Sequence, residues 1–142
     1  MQIRRSLFLL LALPVLLIAA ACGDDDDENP KGGGTDEEYL KTICVGTANF
    51  SDALLSKTTA DEIAKVVRDF ADEMKKANPP ADLVEYNEQF VKYLEDAVND
   101  PTSLVTRQPP LPSEDIQQRL ANLEPTIPEC KDPTFFSRAA KD

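Results

Sequence analysis

The chain has 142 residues and a formal net charge of −11 at pH 7, and it contains no histidine and no tryptophan. The lack of histidine excludes Ser-His-Asp and Cys-His catalysis, and it also excludes zinc sites built on histidine ligands. The negative charge argues against nucleic-acid binding, which depends on Lys and Arg contacts to phosphate groups.

The first 21 residues have the layout of a secretory signal peptide. Arg4 and Arg5 give a positive start, a leucine-rich apolar run follows, and residues 19–21 are three alanines. An uncleaved membrane anchor is the alternative, but a helix over residues 6–21 would cover only about 24 Å of a hydrocarbon core of about 30 Å. We therefore predict that residues 1–21 are cleaved from an exported protein.

The end of this segment resembles the lipobox of bacterial lipoproteins. Residues 19–23 read Ala-Ala-Ala-Cys-Gly, so that small residues and then a cysteine close the apolar run. The resemblance covers residues 1–23, and it implies cleavage before Cys22 and a lipid group on the Cys22 sulfur. Two acyl chains suffice for stable anchoring, since each buried CH2 contributes about 0.8 kcal/mol. An ordinary signal peptidase could also cut after Ala21 and release a soluble protein, and this alternative remains open.

An acidic and glycine-rich segment separates Cys22 from the rest of the chain. Residues 24–28 are five consecutive acids, and residues 32–34 are three glycines. Such a composition cannot bury apolar area, so we predict that residues 22–35 form the lipidated cysteine and a disordered tether. Calcium binding by the acids is the alternative, but they lack the Asp/Asn alternation and central glycine of an EF-hand loop.

Helical spacing dominates residues 36–142, for which we predict an all-α domain, a small bundle of three or four helices. Capping-box patterns at Thr35 and Thr59 mark the starts of the first two helices, and the first runs over residues 36–55. A third helix starts near Ala81. The residues predicted to face inward from these three helices are Leu40, Ile43, Cys44, Thr47, Phe50, Leu54, Ile63, Val66, Val67, Phe70, Met74, Leu83, Tyr86, Phe90, Leu94 and Ala97.

The C-terminal part of the chain is rich in proline. We predict a loop over residues 102–112 and then a short fourth helix that Ser113 caps. Residues 125–142 contain three prolines and are expected to form an irregular tail that wraps back on the bundle. For Phe135 and Phe136 the sequence leaves two alternatives open, packing against the bundle or fraying.

Three cysteines remain to be assigned in the exported chain. If Cys22 carries lipid, Cys44 and Cys130 are left as a pair in an oxidising compartment, and we predict a disulfide between them that staples the tail to the first helix. In the chain-entropy model, closing the loop between Cys44 and Cys130 adds about 4.5 kcal/mol to the free energy of unfolding. Two free buried thiols, or a metal-binding or redox pair, are the alternatives, although the chain has no Cys-x-x-Cys motif.

Two constellations on the helices could carry chemistry. Carboxylates on the second and third helices could bind two metal ions, but such bundles use Glu-x-x-His pairs, and here the acids fall between apolar positions. Tyr39, Tyr86 and Tyr93 could line a ligand groove, but helical spacing favours a core position for Tyr86. We therefore expect solvated acids, no metal site and no cofactor.

These patterns favour a non-catalytic, extracytoplasmic lipoprotein that is held to the bacterial cell membrane by its lipid. Such a module would bind an unknown protein or small ligand, or act in maintenance of the cell envelope, and would not bind nucleic acid. A structural or accessory subunit of an envelope complex is the first alternative. An enzyme that works with carboxylates or a lysine instead of histidine is the second.

Overall fold

A computed structural model of the protein describes residues 32–131 and 135–139. The predicted signal peptide, residues 1–21, and the predicted lipid site, Cys22, lie outside the described residues. The helices are α1 (Asp36–Leu55), α2 (Ala60–Lys76), α3 (Val84–Asn99), α4 (Ser103–Thr106), α5 (Glu114–Leu123) and α6 (Phe136–Ala139), with single 3-10 turns at Ala81–Leu83, Glu124–Thr126 and Pro128–Cys130. The predicted all-α fold is confirmed.

Both predicted capping boxes are present at the starts of α1 and α2. The Thr35 hydroxyl accepts a hydrogen bond from the Glu38 N–H, and the Glu38 carboxylate accepts one from the Thr35 N–H. Thr59 and Glu62 form the same pair of hydrogen bonds at the start of α2. The pKa of Glu62 is lowered mainly by a hydrogen bond from the Thr59 hydroxyl. These bonds satisfy N–H groups that have no partner inside a helix, so they fix where each helix begins.

Helices α1 and α2 run in opposite directions, since Gly34 before the start of α1 contacts Asn78 and Pro79 just after the end of α2, and this gives the bundle two distinct ends. We call the half of the bundle where α1 begins, up to and including Cys44, the base; residues 77–83, which join α2 to α3, lie there. The other half, with the end of α1 and the α1–α2 connection at residues 56–59, is called the tip. Consecutive prolines at 79 and 80 prevent α2 from continuing and place the second connection at the base.

The core is concentrated toward the base half of α1. Leu40, Ile43 and Cys44 are fully buried, whereas Phe50 is only partly buried, and Leu55 at the tip is 87% exposed. The predicted apolar stripe of α3 is buried throughout, and the prediction that Tyr86 belongs to the core is confirmed. The remaining fully or nearly fully buried apolar residues include Val67, Phe70, Met74, Leu83, Phe90, Leu94, Leu120 and Phe136.

The structure differs from the sequence expectation at the glycine run. We predicted a disordered tether as far as residue 35, but Gly32 and Gly33 each form a bridge with Pro80, and the Gly34 N–H donates to the Pro79 carbonyl. Residues 32–34 therefore lie against the base and are not part of a free tether. Composition alone did not reveal this, because three glycines are equally suited to a free linker and to a close backbone approach.

The segment after α3 is more regular than we predicted. The loop expected over residues 102–112 contains the single turn α4, which starts where Asp100 accepts hydrogen bonds from the N–H and hydroxyl of Thr102. Helix α5 starts after Ser113 as predicted, but the Ser113 side chain caps no backbone N–H and bonds to the Asp115 carboxylate, which lowers the Asp115 pKa.

Candidate functional site

The two cysteines predicted to pair are joined. A disulfide links Cys44 on α1 to Cys130 in the last 3-10 turn, with a Cα–Cα distance of 5.0 Å. Both residues are completely buried, and the bond spans 86 positions of sequence. Their sulfur atoms are therefore unavailable for metal binding or nucleophilic attack while the bond is intact, and the bond has a structural role.

A buried carboxylate holds the C-terminal tail in place. Glu124 is completely buried, and its two oxygen atoms accept hydrogen bonds from the backbone N–H groups of Phe135, Phe136 and Ser137 at 2.6–2.8 Å. The Ser137 hydroxyl also bonds to this carboxylate. The carboxylate thus satisfies the first N–H groups of α6, and the four bonds offset the cost of burying its charge.

Sequence reasoning missed this role for Glu124. Its partners lie 11–13 positions further along the chain, beyond the three-residue spacing of a capping box. Only the position of Pro125 right after it, which marks the end of α5, was visible in the sequence. Phe136 is completely buried against Tyr86, so of the two alternatives for the tail the structure shows packing for this residue.

The three tyrosines belong to the interior and do not line one shared groove. The Tyr39 hydroxyl donates to the Asn87 side chain at 2.9 Å, and the Asn87 amide donates to the Met74 carbonyl at 3.1 Å. Burial raises the pKa of Tyr39 and of Tyr86, so both rings stay neutral. The Tyr93 hydroxyl reaches the Leu104 and Arg107 carbonyls and ties α3 to the following turn.

The acids of α2 and α3 lie on the surface, as expected, and several of them pair with neighbouring lysines. Lys65 contacts Asp69 at 2.7 Å one turn away, and Lys75 contacts Asp72 at 3.2 Å and Glu95 of α3 at 2.9 Å. Among residues 32–131 and 135–139, no group of three or more His, Cys, Asp or Glu side chains could hold a metal ion. These exposed pairs add little stability individually, and they give no sign of paired acid–base chemistry.

An open groove of about 360 Å3 lies between α1 and α2 and is the best candidate for a binding surface. Its floor is Gly46 and the stacked rings of Phe50 and Phe70, whose centroids are 5.1 Å apart. A Cβ atom on Gly46 would lie 2.6 Å from the Phe70 ring, so the glycine permits this close packing. The Glu73 carboxylate borders the groove, which could take one apolar side chain or a small amphipathic ligand.

At the base, a single arginine joins three parts of the fold. Arg119 on α5 contacts Asp36 at the start of α1 at 2.9 Å and Asp82 before α3 at 2.7 Å. The hydrogen bond from Arg119 is the main reason why the pKa of Asp82 is lowered. Sequence reasoning did not single out this arginine, because its partners are 83 and 37 positions away.

In the part of the chain that the structure describes, no helix has the length and apolar character needed to cross a membrane. No protein family, no curated protein and no solved structure matches this chain.

Proposed function

We propose that this protein is an extracytoplasmic lipoprotein, anchored through lipid on Cys22, whose helical domain acts as a non-catalytic binding module of the cell envelope. The observation that carries the proposal is the fully buried Cys44–Cys130 disulfide. It uses two of the three cysteines of the chain, so Cys22 is the one left for acylation. A disulfide of this kind is also typical of proteins that fold outside the reducing cytoplasm.

Two further features support the binding role. The groove between α1 and α2 combines an aromatic floor with polar and charged edges, and its volume is at the lower end of the range of ligand sites. The tyrosines and the Glu124 carboxylate, which might otherwise serve in catalysis, are engaged in hydrogen bonds or packing inside the domain. In the described residues, these side chains serve the fold, and the groove offers a surface for contact.

The anchor is tested by expressing the full chain with Cys22→Ala in a bacterial host. We expect the parent protein to fractionate with membranes and the variant to lose this association. Asn29→Ala, a change in the same segment that leaves Cys22 intact, is the matched control and should behave as the parent. Mass spectrometry of the parent should show an N-terminus at residue 22 that carries acyl chains. A free thiol at Cys22 on a soluble protein would contradict the proposal.

The binding role is tested in the groove itself. In intact cells, a photo-crosslinking amino acid at Asn49 on the groove edge should capture a partner that the same probe at Gln118, on the exposed side of α5, does not capture. Substituting Phe50→Ser should weaken capture from Asn49, because it removes half of the aromatic floor. Equal capture from the two positions would argue against the groove as the binding surface.

A further inference from the structure

The three glycines before α1 are fitted to the base of the bundle. The Gly34 backbone passes so close to the α2–α3 connection that a Cβ atom there would lie 1.8 Å from the Asn78 carbonyl oxygen. Gly32 has a φ of +101°, which side-chain-bearing residues rarely adopt. The Gly34 N–H donates to the Pro79 carbonyl at 3.4 Å. We call residues 32–34 the glycine seat, because two of its positions require glycine for the chain to lie there.

The glycine seat decides where the chain leaves the domain. It lies at the base, beside Pro80 and Ala81, whereas the tip is at the other end of the 20-residue helix α1. Residues 37 and 55 of α1 are separated by about 27 Å along the helix axis. Leu55 at the tip and Val105 in the single turn α4 are the two most exposed large apolar side chains of the described residues, each 87% exposed.

The distance from Cys22 to the glycine seat is limited by chain length. Ten peptide links separate Cys22 from Gly32, and a fully extended chain covers at most about 3.5 Å per residue, or about 35 Å here. Turning the tip toward the bilayer would raise the base by nearly the length of α1, and this would require an almost fully stretched connection. Releasing the seat as far as Thr35 would add about 10 Å of reach.

We propose that the glycine seat orients the domain on the membrane, with the base toward the bilayer and the tip toward the surrounding space. This inference rests on the proposed lipid at Cys22. It assigns the exposed Leu55 to the side that faces away from the lipid, although an exposed apolar residue on an anchored protein would otherwise suggest insertion into the bilayer. The acidic surface of the chain also opposes close contact of the domain with anionic headgroups.

The orientation is measured on the full lipidated protein, purified and reconstituted into vesicles of phosphatidylethanolamine and phosphatidylglycerol. A maleimide dye is attached either at Glu37→Cys at the base or at Leu55→Cys at the tip, both exposed positions. The native cysteines do not compete, since Cys44 and Cys130 are paired and an acylated Cys22 has no thiol. Energy transfer to headgroup-labelled lipid should be several-fold stronger from the base than from the tip.

Variants of the seat then test its role. Gly34→Val should narrow the difference in energy transfer between the base probe and the tip probe. The valine side chain cannot lie against the Asn78 carbonyl, so the seat is released and the connection from Cys22 to the domain becomes longer. Gly33→Ala is the matched control, since Gly33 is exposed and has no left-handed φ, and it should leave the difference unchanged. Equal transfer from both ends of the parent, or an unchanged difference in Gly34→Val, would overturn the proposal.

Failure of the anchor and failure of the orientation are separable. Dye uptake by the parent without any introduced cysteine would reveal a free Cys22 thiol, and the proposed function and the orientation would fall together. The seat itself is tested by hydrogen exchange on the purified protein, where the Gly34 amide should exchange more slowly than the Gly33 amide. If Cys22 is acylated and the two probes still give equal transfer, the orientation alone is wrong.

Discussion

The base and the tip of the bundle are held together by interactions of different range. At the base, the Cys44–Cys130 disulfide and the Asp36–Arg119 ion pair connect positions that are 86 and 83 residues apart. At the tip, the capping box at Thr59 and the hydrogen bond from the Ser56 hydroxyl to the Ala53 carbonyl each join residues three positions apart. The base thus depends on the complete fold, whereas the tip depends mainly on its neighbours in sequence.

This difference has consequences for dynamics. Contacts between distant positions form only after a long loop closes, and once formed they cannot open without disturbing the whole domain. Local contacts at the tip can open and close while the rest of the domain stays folded. The amides around residues 56–62 should therefore exchange through local opening, and those around Leu40 and Leu120 only through global unfolding, since both side chains are completely buried.

The largest effect is expected from removing the disulfide at the base. Replacing both Cys44 and Cys130 by alanine should lower the free energy of unfolding by about 4.5 kcal/mol, because the unfolded chain regains the freedom of a long loop. Denaturant unfolding followed by circular dichroism measures this loss. The parent protein under reducing conditions is the control and should lose a similar amount. A loss below about 1 kcal/mol would mean that the base does not depend on this bond.

A smaller effect is expected at the carboxylate that holds the tail. Glu124→Gln replaces one acceptor oxygen by an NH2 group that faces backbone N–H donors, and it should cost about 2–3 kcal/mol. Hydrogen exchange at the amides of Phe136 and Ser137 should accelerate along with the loss of stability. Glu114→Gln, at an exposed position of the same helix region, should leave both quantities close to those of the parent. Unchanged exchange at Phe136 would show that the tail is fixed by its rings alone.

The smallest effect is expected from the capping boxes, and it should differ between the two ends. Thr59→Ala at the tip should cost about 1 kcal/mol and should speed exchange of the amides at residues 60–63. Thr35→Ala removes the equivalent cap at the base, where Arg119 and the glycine seat still hold the start of α1. In Thr35→Ala, hydrogen exchange of the amides at the start of α1 should therefore rise less than exchange at residues 60–63 rises in Thr59→Ala. Equal acceleration at both ends would refute the contrast between base and tip.

Much of the fold could be predicted because it follows from local spacing. The bounds of α1, the two capping boxes and the buried stripe of α3 depend on residues three or four positions apart, which the sequence displays directly. The pairing of Cys44 with Cys130 could also be predicted, since assigning Cys22 to lipid leaves one possible pair. For the candidate groove, the stacking of Phe50 on Phe70 across two helices was not foreseen, although each residue was placed on an inward face.

The sequence by itself determined the helical class, the starts of the first two helices and the absence of histidine chemistry, because these depend on residue type and short-range order. Only the tertiary structure decided that residues 32–34 lie against the base, that Glu124 serves the tail and that Arg119 joins α1 to α3. The physical reason is distance along the chain. A carboxylate, an arginine or a run of glycines has many energetically similar partners in an unfolded chain, and only the packed bundle selects one of them.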